Sequence, residues 1–417
     1  MQDTSGWSWD PGKSVVCDTT KISGEVQWLE ELFASPDGEK AGCVACTDDA
    51  EFGVYVNDEF WENRYEKAIT PKFTPDGRLV VTVSADMEWT LAVDGESWPE
   101  GYGFVWDHKF AAGKIACAVQ QDMQYGMSVD GEIWETLYEN ANNFVLSPDG
   151  SSTACAVQVQ RTAAADIGAF KSGVFSIAVD GKAWSEVFMN CYTPCFNADS
   201  SSVACQVRRT LSDYSIAVDG KVWDNNFQCV WEPLFHPITG EVFAPVRLGG
   251  KWGMAKDGQV IWDAKWTQLW QPQFNADGSN LFAICATDFG KFTVIKNKAP
   301  WSATFPVVRD LVMSPDGQRA AVVVKTGKET YGVVVDGKLV GGDYDMLFAP
   351  VFSPDSNNVA IRGRKGADWV VVMNGKPYTE GFDRCFDPVF SPDSSMVLIK
   401  GATHGKVERI VAPLNQF

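Results

Sequence analysis

The 417-residue chain carries 35 Lys and Arg against 54 Asp and Glu, which gives a formal net charge of −19. Such a charge repels nucleic-acid phosphates and anionic lipid headgroups, so we expect neither nucleic-acid binding nor direct membrane insertion. Hydrophobic residues make up 45% of the chain, which excludes a disordered protein, and the 17 Trp are an excess that needs an explanation.

The first residues lack a basic segment followed by an apolar one, and no run of about 18 apolar residues occurs in the sequence. We therefore expect neither a secretory signal nor a membrane span. The 11 Cys are spread along a long chain, which favours a reducing, cytoplasmic compartment. The one C-x-x-C motif, Cys43 to Cys46, has no adjacent His and no second pair, so we predict no metal and no cofactor.

From the N-terminus onward, the chain repeats a turn related to Ser-Pro-Asp-Gly about every 39 residues, with one spacing of about 50. Proline presets the turn conformation and cannot continue a β-ladder, so each copy ends a strand. The Asp, or the residue in its place, is Asp37, Asp76, Ala112, Asp149, Asp199, Thr239, Asp277, Asp316, Asp355 and Asp393.

A second turn, Asp-Gly or a relative between apolar runs, alternates with the first. Such pairs favour two-residue type I′ hairpins, because both positions need positive φ. Each unit therefore reads as four short antiparallel strands, and the whole chain is predicted to be an all-β propeller of about ten four-stranded blades. The first residue of these hairpins is Asn57, Asp94, Asp130, Asp180, Asp219, Asp257, Asn297, Asp336 and Asn374.

Aromatic residues flank these hairpins at fixed positions, which predicts that they pack between blades. Five residues before the hairpin lie Phe52, Trp89, Tyr125, Phe175, Tyr214, Trp252, Phe292, Tyr331 and Trp369. Four residues after it lie Trp61, Trp98, Trp134, Trp184, Trp223, Trp301 and Tyr378, with Trp262 one place later. These two rows account for most of the Trp excess.

The two ends of the chain complement each other. The last unit stops after its third strand, and residues 10–18 read as a fourth strand without a preceding unit. We therefore predict that the N-terminal strand completes the last blade and closes a single propeller over residues 1–417, which removes the sheet edges. Two smaller propellers would use the same strands and remain the alternative. The long spacing predicts a hairpin insertion at residues 160–173.

Of the Trp that fall outside both rows, we single out Trp7, Trp9, Trp106 and Trp266. Trp is enriched in interface hot spots, so we predict that these residues contact a partner protein. Phe170 lies in the predicted insertion and is a further candidate, since insertions in repeat folds often lie on the binding face. Nucleotide-loop and nucleophile-elbow motifs are absent from the sequence, so no catalytic residue is predicted.

The Ser/Thr-Pro-Asp-Gly turn, the apolar strand after it and the Asp-Gly hairpin resemble the WD40-like (TolB-type) β-propeller repeat over essentially the whole chain. The tryptophan-rich composition further resembles the tryptophan-rich subunit family (TmcD) of the transmembrane redox complexes of sulfate-reducing bacteria. This resemblance implies a cytoplasmic subunit, peripheral to the inner membrane through an Fe–S subunit, a membrane cytochrome b subunit and a periplasmic multihaem cytochrome c. It implies no catalytic residues.

Two functions from different classes follow. The first is a non-catalytic protein-interaction scaffold, the cytoplasmic peripheral subunit of a membrane-bound electron-transfer complex. The alternative is a propeller enzyme of hydrolase or lyase type with its site in the central channel. An enzyme would need carboxylates or a metal cluster that converge in the channel.

Overall fold

Local turn chemistry divides the chain into strands. In the hairpin at Asp130, the two central residues have φ of 50° and 92°, the left-handed region that type I′ turns require. The same Asp130 carboxylate accepts a 2.9 Å hydrogen bond from the Ile115 amide, which ties the hairpin to the start of the neighbouring strand. A computed structural model describes residues 4–47, 51–161, 166–378 and 380–416.

These strands form ten antiparallel sheets arranged in a ring, so the chain is a ten-bladed β-propeller, as the sequence predicts. Blades are numbered 1 to 10 along the chain, and strands first to fourth from the channel outward. The first three blades consist of Val26–Ala34, Ala41–Thr47, Phe52–Val56, Glu59–Phe60; Lys67–Phe73, Leu79–Ala85, Glu88–Val93, Glu96–Ser97; and Phe104–Ala111, Lys114–Gln121, Gln124–Val129, Glu132–Ile133.

Blade 6 interrupts its first strand, which gives two short segments on one side of its second strand. Blades 4 to 7 consist of Ala141–Leu146, Thr153–Gln158, Phe175–Val179, Lys182–Ala183; Asn190–Phe196, Val203–Arg208, Tyr214–Val218, Lys221–Val222; Cys229–Val230 with Leu234–Phe235, Val242–Leu248, Lys251–Lys256, Gln259–Trp266; and Gln268–Phe274, Leu281–Asp288, Lys291–Lys296, Ala299–Pro300.

The first strands of blades 9 and 10 are interrupted in the same way. Blades 8 to 10 consist of Val308–Met313, Ala320–Lys325, Tyr331–Val335, Lys338–Tyr344; Met346–Leu347 with Val351–Phe352, Val359–Lys365, Asp368–Met373, Lys376–Pro377; and Arg384–Cys385 with Val389–Phe390, Met396–Thr403, Lys406–Pro413 and, as the fourth strand, Gly12–Asp18.

The N-terminal strand closes the ring, as predicted for residues 10–18. Gly12–Asp18 pairs antiparallel with Lys406–Pro413, from Gly12 opposite Val411 to Asp18 opposite Lys406. The last blade thus joins the two ends of the chain, and its third strand is paired on both sides. A paired strand offers no open edge to another molecule, which is the physical reason for this form of closure.

The aromatic row after the hairpins packs against the next blade. A Cβ built on Gly181 would lie 3.3 Å from the Cβ of Trp134, so the hairpin glycine serves both its positive φ and the close approach of the indole. The indole–glycine contacts of this kind are Trp61 with Gly95, Trp98 with Gly131, Trp134 with Gly181, Trp184 with Gly220, Trp223 with Gly258 and Trp301 with Gly337.

Helical segments are few and short in the described ranges. The insertion of blade 4 contains the α-helix Ile167–Ser172, which the Asp166 carboxylate caps by accepting a 2.9 Å hydrogen bond from the Ala169 amide. Residues 162–165 of the predicted insertion lie outside the described residues. The 3-10 helices are Thr19–Ile22 and Leu414–Gln416. Among the described helices, none is long and apolar enough to cross a membrane.

Candidate functional site

Trp266 is not outside the aromatic pattern, which corrects the sequence analysis. It lies opposite Trp252 in blade 6 and is 7% exposed, so its side chain is part of the blade packing. Its role as a partner contact stays a prediction that this burial does not favour. It belongs to a further row of cross-strand aromatic pairs: Phe52 with Tyr65, Trp89 with Tyr102, Tyr125 with Tyr138, Phe175 with Phe188, Tyr214 with Phe227, Trp252 with Trp266, Phe292 with Phe305, Tyr331 with Tyr344, and Trp369 with Phe382.

Trp106 also belongs to a row, on the first strands. Its ring meets Tyr125 at 6.2 Å and Phe144 at 5.7 Å, both edge to face, and stacks at 5.9 Å on the exposed Phe104. It is half-buried, so one part of the indole remains accessible. In six blades an aromatic residue occupies this first-strand position, four before the terminal Phe: Trp106, Tyr192, Trp231, Trp270, Phe348 and Phe386.

Trp7 and Trp9 precede the closing strand on the face of the ring opposite to the one that carries the insertion. Their rings stack with centroids 6.1 Å apart, and the Trp9 indole donates a 3.1 Å hydrogen bond to the Thr4 carbonyl. The Arg409 guanidinium donates to the Ser8 carbonyl between them. Both side chains are half-buried. The structure therefore does not bring the predicted partner residues together on one surface.

The face formed by the loops between second and third strands, here named the loop face, presents large apolar side chains to solvent. Phe289 is 93% exposed and Met87 is 89% exposed, both at loop tips. Phe170 lies half-buried in the helix of the same face. Protein surfaces expose single apolar residues routinely, so exposure on several loops of one face makes that face a candidate interaction surface only. The apolar loop-tip residues are Met87, Met123, Ile167, Leu211 and Phe289.

Two of these tips are held in a backbone conformation that costs free energy. Met87 has φ of 65° and Met123 has φ of 63°, in two-residue turns where glycine is favoured. Blade 6 places Gly249 and Gly250 in its equivalent turn. The fold therefore does not require methionine at these tips. A side chain that is both strained and exposed is a functional candidate, because neither packing nor turn geometry explains it.

Each of the three most exposed apolar residues at the loop tips directly follows an Asp in the sequence. The pairs are Asp86-Met87, Asp122-Met123 and Asp288-Phe289. Met87 and Met123 are the second residues of their two-residue turns, whereas Phe289 is the first residue of the turn Phe289-Gly290. Sequence reasoning missed these residues, although an apolar residue directly after an Asp between two apolar strands is a signal that could have found them. The loop face thus combines apolar projections with negative charge.

A cavity of about 700 Å³ opens on the channel where the first strands of blades 10, 1 and 2 meet. Glu31 and Asp387 line it, and the Asp387 carboxylate lies 2.5 Å from the Arg362 guanidinium nitrogen. Cations outnumber carboxylates among the lining residues. The lining cations are Lys72, Arg362, Arg384 and Lys400.

His108, in the channel wall of blade 3, is buried beside the second strand of blade 2. Its Nε2 lies 2.6 Å from the Thr82 hydroxyl, and its Nδ1 has no hydrogen-bond partner in the described chain. Burial, together with the charge of Lys72, lowers the pKa of His108 to about 4. The imidazole is therefore neutral at physiological pH.

Burial suppresses ionisation of the thiols of Cys43 and Cys285. All 11 Cys are free, and burial raises the pKa of Cys43 and of Cys285 to about 12. The thiolate is the nucleophilic form, so such residues pack as small apolar side chains at neutral pH. Within the described residues, no group of three or more His, Cys, Asp or Glu side chains is placed to hold a metal ion.

Comparisons with known proteins find only distant likenesses. No family model matches the sequence, and no curated protein matches it. A crystal structure of a eukaryotic initiation factor is 14% identical with a TM-score of 0.49, covering 78% of this chain and 89% of that one. The Dos1 propeller is 11% identical with a TM-score of 0.38, covering 91% and 92%. TolB from Acinetobacter baumannii is 12% identical with a TM-score of 0.32, covering 74% and 78%.

These likenesses are too distant to carry a function to this chain. The propeller part of the resemblance drawn from the repeats holds, because the chain's own ten sheets show it. The resemblance to the tryptophan-rich redox-complex subunit finds no support among the comparisons and stays a prediction.

Proposed function

We propose that the chain is a non-catalytic interaction scaffold that binds a partner protein through its loop face. The observation that carries the proposal is the placement of Met87 and Met123 in left-handed turn positions with their side chains in solvent. Positive φ at a methionine that does not pack lowers the stability of the fold. Burial of its side chain against a partner protein would offset that loss of free energy.

The chemistry of the loop face specifies the partner surface. Apolar tips at positions 87, 123 and 289 fit apolar sockets, and the preceding Asp86, Asp122 and Asp288 favour basic residues around them. The net charge of −19 attracts a basic partner over a longer range and raises the encounter rate. The partner surface is therefore an apolar one with a basic rim.

At a finer level, we propose that the chain is the cytoplasmic peripheral subunit of a membrane-bound electron-transfer complex, with Fe–S and membrane cytochrome subunits as its partners. The repeat type and the tryptophan content support this identification through the family resemblance. The alternative of a channel enzyme would draw on Glu31 and Asp387, but Arg362 already neutralises Asp387 and the lining is mainly cationic.

Glycine substitution at the tips tests the loop face sharply, because blade 6 shows that glycine suits this turn. The double variant M87G/M123G is expected to fold with an unchanged or slightly raised Tm, since it relieves positive φ. We expect the wild-type chain to co-purify with Fe–S and cytochrome subunits, and we expect the variant to lose them. Leu339→Ser, at an exposed site on an outer strand of blade 8, is the matched control and should retain them.

Each outcome is decisive for one level of the proposal. Retention of the partner subunits by the folded M87G/M123G variant would overturn the assignment to the loop face. A wild-type chain that brings down no Fe–S or cytochrome subunit from its source membranes would overturn the electron-transfer assignment. Photo-crosslinking amino acids at positions 87, 123 and 289 should capture the same partner, and one at position 339 should not.

A further inference from the structure

The second strands of blades 9 and 10 carry two cations at a position where the other eight blades have uncharged residues. Lys400 lies on the second strand of blade 10 opposite Arg409, and Arg362 lies at the equivalent place in blade 9 opposite Val371. In the other blades, strand pairing places at this position Val44, Thr82, Ala118, Ala156, Gln206, Pro245, Ile284 and Val323. The fold therefore does not need a charge at this position, yet each of the two adjacent blades 9 and 10 carries one.

Lys400 is a buried cation whose ammonium group finds hydrogen-bond acceptors for only part of its N–H donors. It is 5% exposed, and its Nζ donates to the Pro36 carbonyl at 2.9 Å and to the Ser35 carbonyl at 3.2 Å. An ammonium has three donors, so one N–H remains for a group in the cavity that Lys400 lines. Burial lowers the pKa of Lys400 to about 8, which is the cost of holding this charge without a counter-ion.

The neighbouring cations are not neutralised either. Among the described residues, Lys72, Arg384 and Lys400 have no carboxylate oxygen within 4.0 Å, whereas Arg362 is paired with Asp387. Unpaired positive charge that converges on one cavity is unexpected in a chain with a net charge of −19. Low-dielectric walls concentrate the field of such a cluster on whatever enters the cavity.

The cavity has the size and the lining of a small-molecule site. Its volume of about 700 Å³ lies in the range of ligand pockets, and aromatic side chains line it together with the cations. The aromatic lining residues are Phe33, Phe73, Phe110 and Phe386. We propose that this cavity binds a multiply charged organic anion, with carboxylate or phosphate groups held by Lys400, Arg384 and Lys72 and an apolar part held by the phenylalanines.

Titration calorimetry at low ionic strength tests the proposal with citrate and pyrophosphate as probes, which separates carboxylate from phosphate chemistry. The wild-type chain is expected to bind at least one probe with a stoichiometry of one. Arg384→Gln changes an exposed residue and is expected to weaken that binding by about tenfold, the loss of one charge-assisted contact. Lys72→Met should do the same from the opposite side of the cavity. Added salt should weaken the wild-type interaction.

Lys114→Met is the matched control, because Lys114 is exposed and paired with Asp130 outside the cavity. It should bind the probe as the wild type does. Absence of saturable binding of both probes would overturn the proposal, and so would equal affinity in Arg384→Gln and Lys114→Met. If only an acidic peptide binds and neither small anion does, the site serves a protein tail and the small-molecule assignment is wrong. None of these readouts depends on the loop face.

Discussion

The junction between blades 3 and 4 and the junction that closes the ring use different chemistry. Between blades 3 and 4, the Trp134 indole covers the Gly181 hairpin and donates a 2.8 Å hydrogen bond to Thr153 Oγ1. The Tyr138 hydroxyl donates to the Gly181 carbonyl at 2.8 Å. Two aromatic side chains therefore hold the hairpin of the next blade in place.

The closing junction has no aromatic residue at these places. Ser14 faces Arg409 where blades 1 to 7 carry the row Trp, and Cys17 faces Val407 where blades 1 to 9 carry the aromatic pair. Polar contacts replace them: the Asp18 amide donates to Asp58 Oδ1 at 2.7 Å, and the Arg409 guanidinium donates to the Asp37 carbonyl at 2.9 Å. At the closing junction these directional bonds act beside an apolar cluster that includes Cys17, Val407 and Tyr55.

The reason lies in how each strand reaches its place. A fourth strand that follows its own hairpin inherits its register from the turn, so apolar area alone can hold it. The strand Gly12–Asp18 arrives from the other end of the chain, and no turn fixes its register. Hydrogen bonds to particular atoms penalise a shifted register, which non-directional apolar contacts do not.

Removal of the closing strand gives the largest expected effect. Deletion of residues 1–18 leaves the third strand of blade 10, Lys406–Pro413, with an unpaired edge and uncovers the buried Val407. We expect loss of the cooperative thermal transition, and aggregation through the open edge. Circular dichroism melting and size-exclusion chromatography measure both. Deletion of residues 1–8 spares the strand and should melt cooperatively; equal behaviour of the two deletions would show that the ring does not depend on closure.

The next largest effect separates the two kinds of junction. Trp134→Ala removes a buried indole and its hydrogen bond to Thr153, and we expect a loss of about 3–5 kcal/mol of unfolding free energy. Ser14→Ala changes the equivalent place in the closing strand, where the side chain is exposed, and should stay within about 0.5 kcal/mol. Denaturant titration compares them, and similar losses would contradict the distinction between aromatic and polar junctions.

Much of this architecture is readable from the sequence because it is encoded locally. Each turn fixes its own pair of strands, so the ten blades and the closing strand follow from turn spacing. The pair Trp262 and Trp266 shows where a fixed spacing from the hairpin fails to assign a residue to its row. In the other blades, the second member of each cross-strand aromatic pair lies eight residues after the first residue of the hairpin. Blade 6 carries one extra residue after its hairpin, which displaces both Trp262 and Trp266 by one place. The same offset seen at Trp262 could have revealed Trp266 as a packing residue.

The channel cavity could not be read in this way. Lys72 and Lys400 come from opposite ends of the chain and meet only because the ring closes between blades 10 and 1. Turn spacing specifies which strands form but not which side chains of non-consecutive blades share a cavity. The loop-face residues were within reach, since Met in an Asp-x turn is an anomaly of local sequence.

The smallest effect concerns a polar contact at an interior junction, and it is visible only through pH. Thr82 occupies in blade 2 the position of Lys400 in blade 10, and it contacts His108 of blade 3. Burial lowers the pKa of His108 to about 4, against 6.5 for an ordinary histidine. Below pH 6.5, His108 binds a proton in the unfolded chain but stays neutral in the folded chain. The free energy of unfolding therefore decreases as the pH falls towards 4.

This difference in proton uptake removes up to about 3 kcal/mol of stability between pH 6.5 and pH 4. His108→Leu, which adopts the residue that blade 8 has at Leu311, should remove that part of the acid sensitivity. Thr82→Val keeps the buried imidazole and should remain as acid-sensitive as the wild type. Denaturant midpoints measured from pH 7 to pH 4 compare the three chains. If wild type and His108→Leu lose stability in parallel, His108 takes up its proton in the folded state, and the interior junction tolerates a charge as the closing junction tolerates Lys400.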